Sequence, residues 1–269
     1  MSAALSLPEP GETHVWFGDG DTAEPNRDLE LLSADERARC ARYSYRLDRS
    51  RFAAARAGAR RVLARYVGGE PAQVRFDRAE ADVLGDPADR GDHRHRPLVV
   101  AVRGTPLYLS VARSEGLWLL GLAVDERIGV DVEHVRDFDT AGLINRCLAT
   151  EEREQVNALA PEERGAAFVR AWTRKEALIK AAGLPRSTPH HRIPVQPTRP
   201  GAVRVAQPDH SGRQSGSWTV QDLPLGGLVR ASLARPAACA GPVRWTDTTT
   251  TGEPRLDTWR AQLPDLQVG

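Results

Sequence analysis

Two long segments with helical periodicity constrain the fold of this chain more than any other feature. In residues 49–67, apolar side chains recur every three or four positions and form one stripe on a helix. Residues 161–182 follow the same pattern, with Pro161 suited to the first helical turn and Gly183 suited to the C-terminal cap. Candidate strands follow each segment. The sequence therefore predicts two units, each made of one long helix and several strands.

Shorter patterns complete the prediction of an α+β fold. Ser33 and Glu36 form a capping box that predicts a helix over 33–46. Two more helices are predicted at 138–147 and 150–159. Strands are predicted at 14–17, 98–102, 107–111, 118–124, 128–135, 202–206, 217–222 and 227–234. The strands at 118–124 and 128–135 flank the turn 125–127, so we predict that they form a hairpin.

The two units meet near residues 112–120. This boundary divides the chain into an N-terminal α+β subdomain, residues 1–115, and a C-terminal α+β subdomain, residues 116–240. Residues 241–269 contain a run of threonines and little periodicity, so we expect a weakly ordered tail.

Composition excludes several classes of protein. The 269 residues carry 37 basic and 36 acidic side chains, for a net charge of +1, which argues against a dedicated nucleic-acid binder. Apolar runs are too short to span a membrane, and the N-terminus lacks the basic start and apolar stretch of a secretory signal. The three cysteines are odd in number and far apart, so we expect free thiols in the cytoplasm.

The distribution of lysine is unusual. Of the 37 basic residues only Lys175 and Lys180 are lysine, and they lie five residues apart in WTRKEALIKAAG, residues 172–183. Lysine is a compact, mobile point charge, whereas arginine is a planar fork, so a phosphate site can require one and not the other.

Three carboxylates form a candidate metal site. Asp131 and Glu133 are two apart in GVDVE, residues 129–133, and therefore lie on one face of the predicted strand. Glu176 lies within the apolar stripe of the 161–182 helix, where a buried carboxylate needs a partner or a metal. Together they favour an oxygen-rich site for Mg²⁺. Two simpler alternatives stay open: a solvated strand face, and a surface ion pair between Glu176 and Lys180.

The histidines in the loops complete no metal site. We expect His93, His95, His190 and His191 to be solvated.

The two motifs together resemble a known family. GVDVE, followed about 40 residues later by WTRKEALIKAAG, is similar to the paired motifs of the 4′-phosphopantetheinyl transferases, in particular the larger monomeric type that serves peptide and polyketide synthases. Every hallmark position is filled, by Gly129, Asp131, Glu133, Trp172, Lys175, Glu176, Ala177 and Lys180. The resemblance extends more faintly over residues 14–235.

The resemblance implies a fold and a reaction. The fold would be a pseudo-twofold pair of similar α+β subdomains in a monomer, with coenzyme A bound in the interdomain cleft. The reaction would be the Mg²⁺-dependent transfer of the 4′-phosphopantetheine arm of coenzyme A to a serine of an apo acyl or peptidyl carrier protein, with release of 3′,5′-ADP. Polyketide, non-ribosomal peptide and antibiotic biosynthesis are the expected settings.

The resemblance also assigns roles to residues. Asp131, Glu133 and Glu176 would hold Mg²⁺, and Glu176 would accept the serine proton, directly or through a water on the metal. Lys180 would act in catalysis and contact the phosphates. The remaining coenzyme A contacts would come from Lys175, Arg51, Arg96, Pro97, Arg113 and Ser114.

Departures from the family pattern leave an alternative open. The family usually has N-x-S-H-S where this chain has SVARS, residues 110–114, so Arg113 replaces a histidine and Ala112 a serine. Arginine can still bind phosphate through two parallel hydrogen bonds. The departure nevertheless allows a relative that binds coenzyme A or a carrier protein without transferase turnover. An unrelated α+β domain whose acids are solvated is the third hypothesis.

Overall fold

Two β-sheets pack against each other in the computed structural model, and one long helix covers the outer face of each sheet. This arrangement confirms the predicted α+β class. The structure describes residues 5–21, 25–78, 98–102, 104–124, 126–136, 141–185, 187–208, 214–239, 241–248 and 257–259. Arg96 and Pro97, predicted to contact the nucleotide, lie outside the described residues, as do His93 and His95.

The larger sheet has seven strands in the order β11-β10-β1-β5-β4-β3-β2. Their bounds are Thr13–Asp19 (β1), Asp77–Arg78 (β2), Leu98–Val102 (β3), Thr105–Ser114 (β4), Leu117–Val124 (β5), Val243–Asp247 (β10) and Asp257–Trp259 (β11). The smaller sheet has the order β6-β9-β8-β7. Its strands are Gly129–His134 (β6), Ala202–Pro208 (β7), Gln214–Asp222 (β8) and Val229–Pro236 (β9).

Six α-helices lie within the described residues. They are Pro25–Leu31 (α1), Ala34–Ala41 (α2), Arg46–Val67 (α3), Ala141–Cys147 (α4), Thr150–Asn157 (α5) and Pro161–Ala182 (α6). The capping box of Ser33 and Glu36 is present at the start of α2. Both long helices end at a glycine in the left-handed region, Gly68 at φ 71° and Gly183 at φ 67°, where a side chain would be strained.

The predicted apolar stripes form the buried inner faces of the two long helices. On α3, Phe52, Val62 and Tyr66 are buried, and much of this helix packs on the larger sheet. On α6, Phe168 and Ile179 are buried in a core shared with the smaller sheet. A third core lies between the sheets. Burial of these apolar faces is the main force that assembles the layers.

The predicted hairpin of residues 118–124 and 128–135 is wrong. Strand β5 lies between β1 and β4, so both of its edges already have partners. The chain therefore crosses to the smaller sheet, where β6 pairs antiparallel with β9. This crossing leaves β6 as an edge strand that faces β4 of the larger sheet.

The segment after residue 240 contributes two strands. Val243–Asp247 pairs in parallel with β1 and antiparallel with Asp257–Trp259, so the expectation of a weakly ordered tail does not hold for these two strands. Pairing with a neighbouring strand satisfies the backbone amides and needs little side-chain periodicity. The boundary predicted after residue 115 falls in the turn of the β4–β5 hairpin, whereas the change of sheet comes between β5 and β6.

No helix within the described residues is long and apolar enough to cross a membrane. The three cysteines are unpaired, and Cys40 and Cys239 are buried.

A buried histidine should make the stability of the fold depend on pH. His14 in β1 is buried, its Nδ1 lies 2.7 Å from the Tyr66 hydroxyl, and burial lowers its pKa from 6.5 although Glu12 acts in the opposite direction. The neutral ring is therefore favoured in the fold. The stability that the neutral His14 ring contributes is complete above pH 6.5, its ordinary pKa. This stability is lost as pH falls through the lower pKa of the folded state.

We therefore expect wild type to lose more free energy of unfolding between pH 7 and pH 5 than His14→Gln does, as measured by urea denaturation. An equal loss in both proteins would contradict this assignment.

Candidate active site

The site is built where strand β6 touches helix α6 without an intervening side chain. A Cβ atom added at Gly129 would overlap the carbonyl oxygen of Ala177 and lie 2.6 Å from the backbone nitrogen of Ala181. Only glycine permits this close approach. The contact places Lys180 beside the strand, where its Nζ donates to the carbonyl oxygen of Val130 at 3.1 Å.

Asp131 is the buried acid of the site. Its Oδ1 accepts a hydrogen bond from Lys180 Nζ at 2.7 Å. Its Oδ2 is buried and has no hydrogen-bond partner among the described residues. Burial raises the pKa of Asp131 to about 7; Lys180 opposes this shift, whereas the nearby charges of Glu176 and Glu133 add to it. Glu133 and Glu176 therefore both lie near enough to act electrostatically on Asp131.

The acids are close enough to interact but are not a preformed metal cage. Within the described residues, no group of three or more His, Cys, Asp and Glu side chains is arranged to hold a metal ion. Each glutamate instead has a hydrogen-bond partner, Ser114 for Glu133 and His190 for Glu176.

Glu133 is held by a serine from the larger sheet. Ser114 Oγ donates to Glu133 Oε2 at 2.7 Å and accepts from the backbone nitrogen of His134 at 3.2 Å. On the same face of β4, Ser110 Oγ accepts from the backbone nitrogen of Val130 at 3.0 Å. The serines of SVARS therefore join the two sheets beside the acids. Ser114 is buried and bonded in this way, and its predicted role as a nucleotide contact stays a prediction.

Glu176 has a histidine as its partner. His190 Nε2 lies 2.7 Å from Glu176 Oε1, and the imidazole stacks on Trp172 with ring centroids 4.7 Å apart. The expectation that His190 is solvated is therefore wrong. No local sequence signal identifies this residue, because the contact joins positions 14 apart, one on α6 and the other in the proline-rich loop that follows it.

Lys175 and Lys180 have different environments. Lys175 is fully buried, and its Nζ lies 2.5 Å from Glu152 Oε2 and donates to the carbonyl oxygen of His190 at 3.0 Å. Burial lowers the pKa of Lys175, although Glu152 opposes the shift. Lys175 therefore forms a buried ion pair with Glu152 in this structure, and its predicted contact with coenzyme A stays a prediction.

Two of the three predicted arginine contacts, Arg51 and Arg113, lie near the start of α3. Arg51 makes a bidentate pair with Asp21 at 2.6 and 2.7 Å, and this hydrogen bonding lowers the pKa of Asp21. The guanidinium of Arg113 lies 5.1 Å from the ring centroid of Tyr43 and 5.9 Å from that of Phe52. Arg51 is thus held by a carboxylate and Arg113 by two aromatic rings.

Comparisons with known proteins agree with the motifs. Residues 127–237 match the family model described as the 4′-phosphopantetheinyl transferase superfamily. The chain is 32% identical over 202 residues to the 4′-phosphopantetheinyl transferase HetI of Nostoc sp., an alignment that covers 72% of this chain and 79% of that relative.

Two further relatives carry the same description. The 4′-phosphopantetheinyl transferase AcpT of Salmonella typhi is 34% identical over 39% of this chain and 53% of its own length. The 4′-phosphopantetheinyl transferase of Bacillus subtilis is 24% identical over 69% of this chain and 75% of its own. The chain therefore belongs to the 4′-phosphopantetheinyl transferase family, whose members transfer phosphopantetheine to carrier proteins.

Proposed function

We propose that this chain transfers the 4′-phosphopantetheine arm of coenzyme A to a serine of an acyl or peptidyl carrier protein, with release of 3′,5′-ADP. One observation carries the proposal: Asp131 is buried beside Lys180 and within the electrostatic influence of Glu133 and Glu176. Carrier proteins of polyketide or non-ribosomal peptide synthesis are the proposed acceptors. A monomer in the cytoplasm is part of the proposal, and the free cysteines are consistent with a reducing compartment.

The chemistry of the acids suits a divalent cation. Asp131 Oδ2 is a buried oxygen without a hydrogen-bond partner among the described residues, and burial raises the pKa of this carboxyl to about 7. Asp131, Glu133 and Glu176 offer carboxylate oxygens, the ligands that Mg²⁺ prefers. Bound there, Mg²⁺ would supply positive charge to the coenzyme A diphosphate.

Lys180 contributes a second positive charge. Its ammonium donates to Val130 and Asp131, and it keeps a third donor for a ligand. That donor would stabilise the charge that develops on the diphosphate when the bond to the leaving phosphate breaks.

Glu176 is the proposed proton acceptor. In the reaction the serine oxygen would form a bond to the β-phosphorus of coenzyme A. The bond between that phosphorus and the bridging oxygen would break, 3′,5′-ADP would leave with this oxygen, and the serine proton would pass to the Glu176 carboxylate. A carboxylate in hydrogen-bond reach of the hydroxyl can do this. Positioning and electrostatic stabilisation account for most of the catalysis of phosphoryl transfer. The orientation of the Glu176 carboxylate should therefore affect the rate.

Arg51 and Arg113 are the proposed contacts to the nucleotide. Each guanidinium can exchange its present neighbours for phosphate oxygens, and Arg51 already shows the bidentate geometry with Asp21. Arg96 and Pro97 stay in the proposal as sequence expectations.

The activity test compares substitutions of the acids. Glu176→Gln and Asp131→Ala should each lower the turnover of an apo carrier protein with coenzyme A and Mg²⁺ by at least about 10²-fold, a typical contribution of a catalytic acid or base. Intact mass spectrometry measures the added phosphopantetheine. Glu163→Gln, an exposed acid on the same helix, should be unchanged. Undiminished transfer by either site variant would refute the assignment.

A binding relative without turnover is the second candidate. It is favoured by Arg113, which lies against Tyr43 and Phe52 where the family pattern has a histidine. Calorimetry that detects coenzyme A binding, together with no transfer to a panel of carriers, would select it.

A further inference from the structure

Three residues of helix α6 contact His190. The Trp172 indole and the imidazole are nearly parallel, with 5° between their planes. One turn further along the helix, Lys175 donates to the backbone carbonyl of His190, and Glu176 pairs with its Nε2. Three positions of the helix thus fix the plane of the ring, its backbone and one ring nitrogen.

The loop on the far side of His190 is also anchored. Glu152 Oε1 accepts from the backbone nitrogen of Val195 at 2.6 Å, while its Oε2 lies 2.5 Å from Lys175 Nζ. Arg174, which is fully buried, donates to the carbonyl oxygens of Val195 and Gln196. The backbone around His190 therefore has little freedom to move away from the helix.

We propose that His190 is a positioning residue that orients the Glu176 carboxylate for phosphopantetheine transfer. The proposal rests on the proposed function of Glu176. An ionised carboxylate only accepts hydrogen bonds, so Nε2 is the donor in this pair. Stacking on Trp172 sets the direction of the Nε2–H bond, and the bond in turn selects one orientation of Glu176.

The size of the effect follows from the need for accurate geometry. Partners that orient a functional ligand typically contribute about 10–100-fold to activity or metal affinity, because a misplaced reacting group loses alignment. The proposed arginine contacts to coenzyme A do not involve His190. The loss should therefore fall mainly on kcat rather than on the KM for coenzyme A.

Two substitutions separate the ring from its hydrogen bond. His190→Phe keeps an aromatic ring to stack on Trp172 but cannot donate to Glu176, and we expect it to lower kcat about 10–100-fold. His190→Gln keeps a donor and should recover activity to within about fivefold of wild type. His191→Phe, at the neighbouring exposed position, is the matched control and should behave as wild type.

Coupling and spectroscopy provide further readouts. If His190 acts through Glu176, the double variant His190→Phe/Glu176→Gln should be no more than about twofold slower than Glu176→Gln alone. Imidazole ¹⁵N resonances assigned to His190 should shift in Glu176→Gln, whereas those of His191 should not.

The outcomes distinguish this proposal from the proposed function. Full activity of Glu176→Gln would reject Glu176 as the proton acceptor and with it this part of the proposed function. An inactive Glu176→Gln together with a fully active His190→Phe, additive losses in the double variant, or unshifted His190 resonances would overturn the positioning role alone.

Discussion

Replacing Lys175 with methionine is expected to lower the free energy of unfolding by about 3–5 kcal/mol, the usual cost of removing one partner from a buried ion pair. Lys175 and Glu152 are 0% and 2% exposed, respectively. Methionine fills much of the volume of the lysine stem, but it leaves the Glu152 carboxylate buried without a counter-charge. Urea denaturation at pH 7, followed by circular dichroism, measures the change.

A double variant serves as the control for charge. Glu152→Gln combined with Lys175→Met removes both charges, and its glutamine oxygen can still accept a hydrogen bond from Val195. We expect it to be more stable than Lys175→Met alone, because the unpaired charge is the main cost. Loss of less than about 1 kcal/mol in Lys175→Met would show that the pair does not stabilise the fold.

The second large effect is expected at Gly129. Gly129→Ala should destabilise the protein by about 3 kcal/mol or more, above the usual range for overpacking, because the added methyl group meets backbone atoms of Ala177 and Ala181. Backbone cannot rotate away as a side chain can. Strand β6 would have to move from the helix, which would separate Asp131 from Lys180 and reduce transfer as well. Thermal unfolding and the mass-spectrometric transfer assay measure the two effects.

Gly142→Ala provides a control for which the expected change in stability has the opposite sign. Gly142 lies within helix α4, and a Cβ atom added there meets nothing within 4 Å. Gly142→Ala should stabilise the protein by about 0.5–1 kcal/mol, since alanine is the better helix former. A wild-type melting temperature in Gly129→Ala would contradict the packing described for β6 and α6.

These expectations divide the sequence motifs into two kinds of residue. In GVDVE, the glycine permits the contact between strand and helix, while Asp131 and Glu133 supply the acids. In WTRKEALIKAAG, Lys175 stabilises the loop that carries His190, and Lys180 lies at the candidate site. A hallmark position can therefore serve the scaffold as well as the chemistry.

Sequence periodicity predicted the parts of the fold that depend on neighbouring residues. Helix α6 begins at Pro161 and ends at Ala182 as predicted, because its apolar stripe, first-turn proline and glycine cap all lie within one segment. The alternation of GVDVE similarly predicted a strand with two acids on one face. Pairing of strands was less predictable: β6 joins β9, about 100 residues later in the chain, since both edges of β5 are occupied.

The roles of the two lysines depended on packing. Five residues rotate a helix by about 140° beyond one full turn, so Lys175 and Lys180 leave α6 in different directions. One meets Glu152 and the other meets Asp131. Sequence spacing cannot say which direction faces a buried acid and which faces the candidate site.

The sequence by itself determined the long helices, the strand with its two acids, the third acid on α6 and the family to which the chain belongs. These features follow from local periodicity and from residue types at short spacings. Only the tertiary structure decided that Lys175 is a buried ion pair, that Ser114 holds Glu133 and that His190 holds Glu176. Those contacts join residues 14 to 23 positions apart, and the packing of separate elements is what brings such residues together.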